Sequence, residues 1–191
     1  KELGGEVSEI KILKDDFQII KKNIEEVLEK SDMLVLSGGS SAGEKDMTVT
    51  ILEELEGAKI LAHGLAIKPG KPTIVAKANN KLIIGLPGHP VSAIVVFKVL
   101  VEKWIKEQFY DNEQSEIVVK GKITENIKSA EGKETYHMVK HENHQDGYAV
   151  IPVYGKSGAI GLLMNSDGYV KTSVSDEGVL KGELVDVNLL K

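Results

Sequence analysis

The sequence contains no cysteine and no arginine. The first absence excludes disulfides, thiolate metal sites and a cysteine nucleophile, and it fits a reducing compartment. The second leaves lysine as the source of all 24 basic residues, so no planar guanidinium fork is available to grip a carboxylate or phosphate bidentately. With a net charge of −5 there is no basic stripe for nucleic acid either. Long hydrophobic runs are also missing: none reaches the roughly eighteen residues of a membrane span, and no secretory signal is visible. A small molecule or another protein is therefore the expected partner, nucleic acid and membrane are not, and the cytoplasm is the expected compartment.

What is present suffices for folding. A length of 191 residues with 41% hydrophobic content allows one or two domains with real cores. The chain opens on Lys1, and Leu3-Gly4-Gly5 reads as the tail of a helix with its C-terminal glycine, so a fragment of a longer protein is expected.

Val7, Ile10 and Ile12, bounded by Gly5 and Asp15, predict a short strand over Glu6 to Leu13. Asp15 with Gln18 resembles a capping box, and Phe17, Ile20, Ile24, Val27 and Leu28 then fall on one helical face. The continuous apolar run Met33 to Leu36 predicts a strand buried on both faces of a parallel sheet, completing a βαβ unit. A helix is expected from Asp46 to Gly57, and Lys59 to Ala62 reads as a strand. Thr73 to Ala76 and Lys81 to Gly85 read as strands joined by a tight turn at Asn79-Asn80. Pro90 to Phe109 is rich in Val and Ile but too long for a strand, and a largely buried helix is predicted, with Trp104 in the core. Tyr110 to Glu116 is polar and marks a boundary, giving an α/β domain over residues 1–112 and a second domain over 113–191. In the second, five β-type segments (117–119, 135–139, 148–153, 169–174 and 183–190) punctuated by glycines predict a small barrel or sandwich.

Three stretches carry candidate chemistry. Lys68-Pro69-Gly70-Lys71-Pro72 is a stiff bend that presents two ammonium groups three positions apart, as an oxyanion site requires. Fourteen residues after its last proline, Leu86-Pro87-Gly88-His89-Pro90 leads into the long helix, whose free N–H groups near Val91 and Ser92 would face the same anion. Pro-Gly pairs also serve simply as turns and lysines beside them as solvated charges. Ser37 to Gly43, with three glycines and three serines directly after the buried strand, suits phosphate, although it is neither a P-loop nor a dinucleotide fingerprint. Glu44 and Asp46 follow it as hard oxygen donors of the kind that hold Mg²⁺ beside phosphate; capping of the next helix by Asp46 is the open alternative.

Histidines give less. In a strand, the four residues from His137 to His141 span about 13 Å, too far for two ligands of one zinc. His63 and His89 lie in loops near the bend without an evident Ser or Asp partner, so no nucleophilic triad is indicated.

Taken together, Ser37 to Asp46, Lys68 to Pro72 and Gly85 to Ala93 resemble, in order and spacing, the three signatures of the molybdopterin molybdenumtransferases, the MoeA and gephyrin E-domain family. Gly155-Lys156-Ser157-Gly158 and Ser166-Asp167-Gly168 resemble that family's C-terminal β-domain, so the likeness covers almost the whole chain. The resemblance implies a three-layer α/β/α molybdopterin-binding domain followed by a small all-β barrel. It also implies an activity: insertion of molybdate into adenylylated molybdopterin, with Mg²⁺-dependent release of AMP. On matching positions, Asp46 and Glu44 would serve Mg²⁺ and the adenylate phosphates. Gly38, Gly39, Ser40, Ser41 and Gly43 would form the pterin side. Lys68, Lys71 and Pro72 would line the molybdate site, with Gly88, Pro90 and Ser92 at the helix start and Ser157 from the β-domain. Lys133, in Gly132-Lys133-Glu134, stands where the family commonly has Arg and keeps the charge without the fork.

The sequence also departs from the family. Its first strand with a Thr-Gly-Asp-Glu motif is absent, as are the N-terminal domains through which members complete the site and form homodimers; this chain resembles the C-terminal half. Ser40 and Ala42 replace valines, and His89 replaces a common Asn. Two other readings stand beside the first. One is the pathway's adenylyltransferase, which shares the pterin-binding domain but normally has Gly-Gly-Thr-Gly and lacks the lysine bend and barrel. The other is a pterin-binding or scaffolding module without catalysis.

Overall fold

Asp16, not Asp15, starts the first helix: its carboxylate accepts a hydrogen bond from Ile19 N–H at 2.9 Å, the N3 position of helix α1 (Phe17–Lys30). The cap predicted at Asp15 is thus displaced by one residue, and the reciprocal bond expected from Gln18 is replaced by Ile19 at N3, whose side chain has nothing to return. The computed structural model describes residues 3–38, 47–109, 118–144 and 147–190. Strand β1 (Met33–Ser37) follows, then α2 (Met47–Glu54), β2 (Ala58–His63), the two-residue β3 (Ile67–Lys68), β4 (Ile74–Ala78) and β5 (Lys81–Leu86).

Four of these strands form one sheet in the order β1-β5-β4-β2. β1 and β5 are parallel, with Ser37 opposite Leu86, while β4 runs antiparallel to both β5 and β2. The β4–β5 hairpin turns where expected, at Asn79 and Asn80, whose φ of 49° and 63° are the positive values a two-residue turn of this hand needs. On one face of the sheet Ile24 and Leu28 of α1 and Ile51 and Leu52 of α2 pack against Ile74, Ala76 and Ile83. The other face is covered by the predicted long helix, which runs as α3 (Pro90–Val96), a π-helical stretch over Phe97–Glu102 and α4 (Lys103–Phe109). Its Val96, Val101 and Ile105 bury Ile84 and Leu86, with Trp104 half-buried beside them. These are the three layers anticipated.

Two expectations at the start of the chain fail for one reason. Glu6 to Leu13 forms no strand, and Val7, Ile10 and Ile12 are 61%, 84% and 99% exposed. Among the described residues β1 lies at the sheet edge, bonded only to β5, and Val35 is 38% exposed where burial on both faces was predicted. A strand exists only where a neighbouring edge accepts its N–H and C=O groups, and nothing among the described residues does so for 6–13. No βαβ unit therefore opens the chain.

Beyond residue 117, β6 (Val118–Ile123), β8 (Glu134–His144), β9 (Gly147–Pro152), β10 (Gly168–Thr172) and β12 (Leu184–Leu189) close into a five-stranded barrel in the order β10-β12-β6-β9-β8, with β8 pairing back to β10. All five predicted β segments are present. The two-residue β7 (Ile127–Lys128) and β11 (Gly178–Val179) form a small separate pair, and α5 (Ile160–Met164) is one short turn of helix. Val139, Val150, Val170 and Val187 fill the barrel. The boundary expected at 112/113 lies outside the described residues.

Barrel and sheet are joined in two ways. β3, in the first half of the chain, adds to the barrel parallel to β8, with Ile67 opposite Glu134 and Lys68 opposite Thr135. Val91 and Val95 of α3 are buried against Tyr136, Met138 and Leu162 from the barrel side. Full burial of each valine side chain contributes on the order of 1.5 kcal/mol or more.

Candidate functional site

The lysine bend is built as its composition demands. Lys68 ends β3, the Lys68–Pro69 peptide is cis, and Gly70 has a φ of 127°, a conformation L side chains rarely adopt. A Cβ on Gly70 would also stand 2.7 Å from Ile67 Cδ1 and 2.8 Å from Val96 Cγ2, so the bend is pressed onto α3. Thr73, fully buried, donates from Oγ1 to Gly70 C=O at 2.6 Å, and Leu65 N–H donates to Lys71 C=O at 2.9 Å, closing the loop. Glu134 N–H donates to Ala66 C=O at 2.9 Å, so the barrel fixes the bend from its other side. Both lysines stay exposed on this rigid support.

The second segment leaves the sheet at the C-terminal end of β5, beside the end of β1, where ligands of open α/β sheets bind. Pro90 is the first residue of α3, as expected. The helix start is occupied differently from the prediction: Val91 N–H donates to Ser157 C=O at 3.1 Å and so is not free for an anion. His89 also has a serine partner that sequence spacing could not reveal, its Nδ1 lying 2.9 Å from Ser157 Oγ, 68 positions away. No carboxylate among the described residues extends this pair to a triad.

The bend, the start of α3 and the barrel enclose a cleft of about 960 Å³. From the first half of the chain it is lined by Lys68, Lys71, Pro72, Gly88, His89 and Ser92; from the second by Lys128, Lys133, Thr135, Tyr136, His137 and Ser157. Four lysines and no carboxylate line it among the described residues, so its potential favours anions. Ser92 is buried at 4% exposure, and Ser157 reaches the cleft from the loop after β9. The barrel contributes a polar end to its own interior. Thr135 and His137 lie opposite Thr172 and Val170, and Thr172 Oγ1 is 3.3 Å from His137 Nε2 and 2.7 Å from Ser129 Oγ. Burial, and then the neighbouring Lys68 ammonium, push the His137 imidazole below the ordinary histidine pKa.

The structure thus brings together Lys68, Lys71, Pro72, Gly88, Ser92, Lys133 and Ser157 from the predicted set, with Pro90 at the adjoining helix start. Gly38, with a φ of 103°, follows the end of β1 and is not among the residues that line this cleft. Gly39, Ser40, Ser41, Gly43, Glu44 and Asp46 lie outside the described residues. Among the described residues no group of three or more His, Asp or Glu side chains could hold a metal ion, and the ammonium-lined cleft does not fit Mg²⁺. Sequence reading missed Lys128, Thr135, Tyr136 and His137 as lining residues. A usable signal existed: period-2 alternation puts Thr135, His137 and Val139 on one face of β8, and that face turns polar toward the bend.

Comparison with known proteins agrees with this architecture. Residues 1–107 match a family model described as a probable molybdopterin binding domain, and residues 120–190 one described as the MoeA C-terminal region, domain IV. A Methanocaldococcus jannaschii protein named for molybdopterin biosynthesis is 35% identical over 191 residues, 100% of this chain and 44% of its own length. A molybdopterin molybdenumtransferase of Staphylococcus aureus is 28% identical, covering 99% of this chain and 45% of its own. The crystal structure of a molybdopterin biosynthesis MoeA protein from Pyrococcus horikoshii superposes with a TM-score of 0.74 at 30% identity, covering 93% of this chain and 42% of that one. The chain therefore spans a little under half the length of the relatives it matches.

Proposed function

Because the chain belongs to the MoeA-type family, a molybdopterin-binding domain followed by a MoeA C-terminal region, we propose that it is the substrate-binding half of a molybdopterin molybdenumtransferase of molybdenum cofactor biosynthesis. The observation that carries this reading is the cleft: four lysines and two serines converge there from both halves of the chain, with no carboxylate among the described lining residues. Molybdate is a tetrahedral dianion, and fixed cationic and hydroxyl donors are what such an ion needs to leave water. Lys68 and Lys71 offer the charge on a support that cannot swing away. Ser92 and Ser157 offer hydroxyl donors, and Lys133 adds charge from the barrel.

The finer reading names adenylylated molybdopterin as the second substrate and release of AMP as the accompanying step. The pterin would lie along the loop from Gly38, which leaves the sheet beside the segment that leads into α3. Magnesium, if used, would depend on Asp46 and Glu44, since the described donors do not fit it. The homodimer of the full-length protein and its cytoplasmic location belong to the same proposal. A cleft with no carboxylate among its described lining residues equally suits a module that binds pterin and metalate without hydrolysing the adenylate, and this is the competing reading.

Calorimetric titration of the chain with molybdate, then with adenylylated molybdopterin with and without Mg²⁺, tests the proposal beside Asp46→Ala. Metalate binding with Mg²⁺-dependent nucleotide binding lost in the variant is the expected result. Metalate binding with no AMP release by the full-length protein would leave the scaffold reading; no binding of either ligand would overturn both.

A further inference from the structure

His137 is not used by the function proposed above, yet its placement is specific. It lies on the inward face of β8, opposite the buried Val170, at the end of the barrel interior that opens into the lysine-lined cleft. Its tautomer follows from its neighbours. Thr172 Oγ1 accepts from Ser129 Oγ at 2.7 Å and donates its single proton to Thr135 C=O at 3.4 Å. The arrangement that satisfies all three contacts at once has His137 Nε2 donating across its 3.3 Å contact with Thr172 Oγ1. In that arrangement the neutral ring carries its proton on Nε2 and its lone pair on Nδ1. A second proton, on Nδ1, would leave the Thr172 bond intact.

We propose that His137 is a proton-linked member of the oxyanion site: when a metalate dianion enters the cleft, Nδ1 takes up one proton from solvent and the imidazolium becomes a further cationic partner of the anion. The inference rests on the reading of the cleft as a metalate site. Among the described residues, the charged groups that line the cleft beside the ring are all lysines. Lys68 adjoins it from β3, and Lys71 stands further along the same bend. Lys128 on β7 and Lys133 before β8 complete the charges. The remaining titratable groups in the cleft are Tyr136, Tyr154, His63 and His89; Glu134 and Lys171 pair with each other at 3.3 Å outside it. Burial, and then repulsion by the Lys68 ammonium, hold the ring below the ordinary histidine pKa and favour its neutral form. A dianion reverses the sign of the local field, and the charged ring is then favoured. Binding consequently couples to proton uptake, and affinity rises as pH falls between the ring's bound and free pKa values.

The test is calorimetric titration of the chain with molybdate in two phosphate-free buffers of different ionisation enthalpy, at several pH values. In parallel, the ring protons of all five histidines are followed by NMR. Uptake approaching one proton is expected, with affinity changing up to about tenfold per pH unit inside the window. Molybdate should raise the midpoint of the His137 resonance, and His137→Gln, which keeps an amide donor to Thr172, should bind with no buffer dependence. Binding without uptake, equal uptake in His137→Gln, or a midpoint shift confined to another histidine would overturn this inference alone. No molybdate binding at all would overturn it together with the metalate reading. Should His137→Gln fail to fold, the NMR midpoint decides by itself.

Discussion

His89 Nδ1 and Ser157 Oγ lie 2.9 Å apart, tying the residue before α3 to the loop after β9. The same loop receives Val91 N–H at Ser157 C=O, 3.1 Å away. Serine at 157 is therefore held by backbone and side chain together, with its hydroxyl at the cleft. Ser157→Ala should weaken molybdate binding roughly fivefold to tenfold, the worth of one ordinary hydrogen bond. His89→Ala should lose part of that effect and add little in the double variant. A thermodynamic cycle on molybdate affinity measures the coupling, and full additivity would show that His89 does not position the hydroxyl.

Lys68→Ala combined with Lys71→Ala should reduce molybdate affinity by at least about tenfold, and the loss should shrink as ionic strength rises. Unaltered affinity would rule out the bend as the metalate site. The single variant Lys68→Ala has a second, independent readout. It removes one of the two causes that hold His137 below the ordinary histidine pKa, so the His137 midpoint should move upward even in the absence of anion.

Gly70→Ala should cost roughly 2–3 kcal/mol in urea unfolding, because an alanine there must adopt an unfavourable backbone at φ 127° and push apart Ile67 and Val96. Gly88→Ala, with nothing within 4 Å of the added methyl, is the control and should change stability little.

Glu102 sits in the π-helical stretch between Lys98 at 3.2 Å and Lys106 at 2.9 Å. Burial alone would raise its pKa, but hydrogen bonds from Lys106 and Lys98 outweigh burial and hold it below the usual value. A depressed folded-state pKa means that the stabilisation is complete above the unfolded carboxylate range and is lost as pH falls through the folded value. Glu102→Gln should therefore be less stable than the parent by about 0.5–1 kcal/mol at neutral pH. The gap should close in acid, as urea denaturation at both pH values would show.

Much of the fold could be read locally. The 3.6-residue period of α1, the Asn79-Asn80 turn and the length of the apolar run from Pro90 to Phe109 each identify an element without reference to anything distant. The lysine bend was legible for the same reason, since proline and glycine restrict their own backbone. The segment 6–13 forms no strand because a strand is not a local object: its β-type residues Val7, Ile10 and Ile12 are present, and among the described residues no edge pairs with them.

By itself, then, the sequence determined the elements whose energetics are internal: helices that satisfy their own backbone groups, turns set by φ preferences, and a bend bearing two ammonium groups. Tertiary structure decided what those elements meet. Closure of the barrel turned His137 toward the lysines. Addition of Ile67 and Lys68 to β8 fixed the bend against the second half of the chain, and contact between Ser157 and Val91 occupied the start of α3. The last two are pairings across 60 or more residues, and barrel closure pairs His137 with Val170 across 33. Their free energy comes from packing and from hydrogen bonds between distant groups, and no pattern within one segment encodes which distant edge or side chain will arrive.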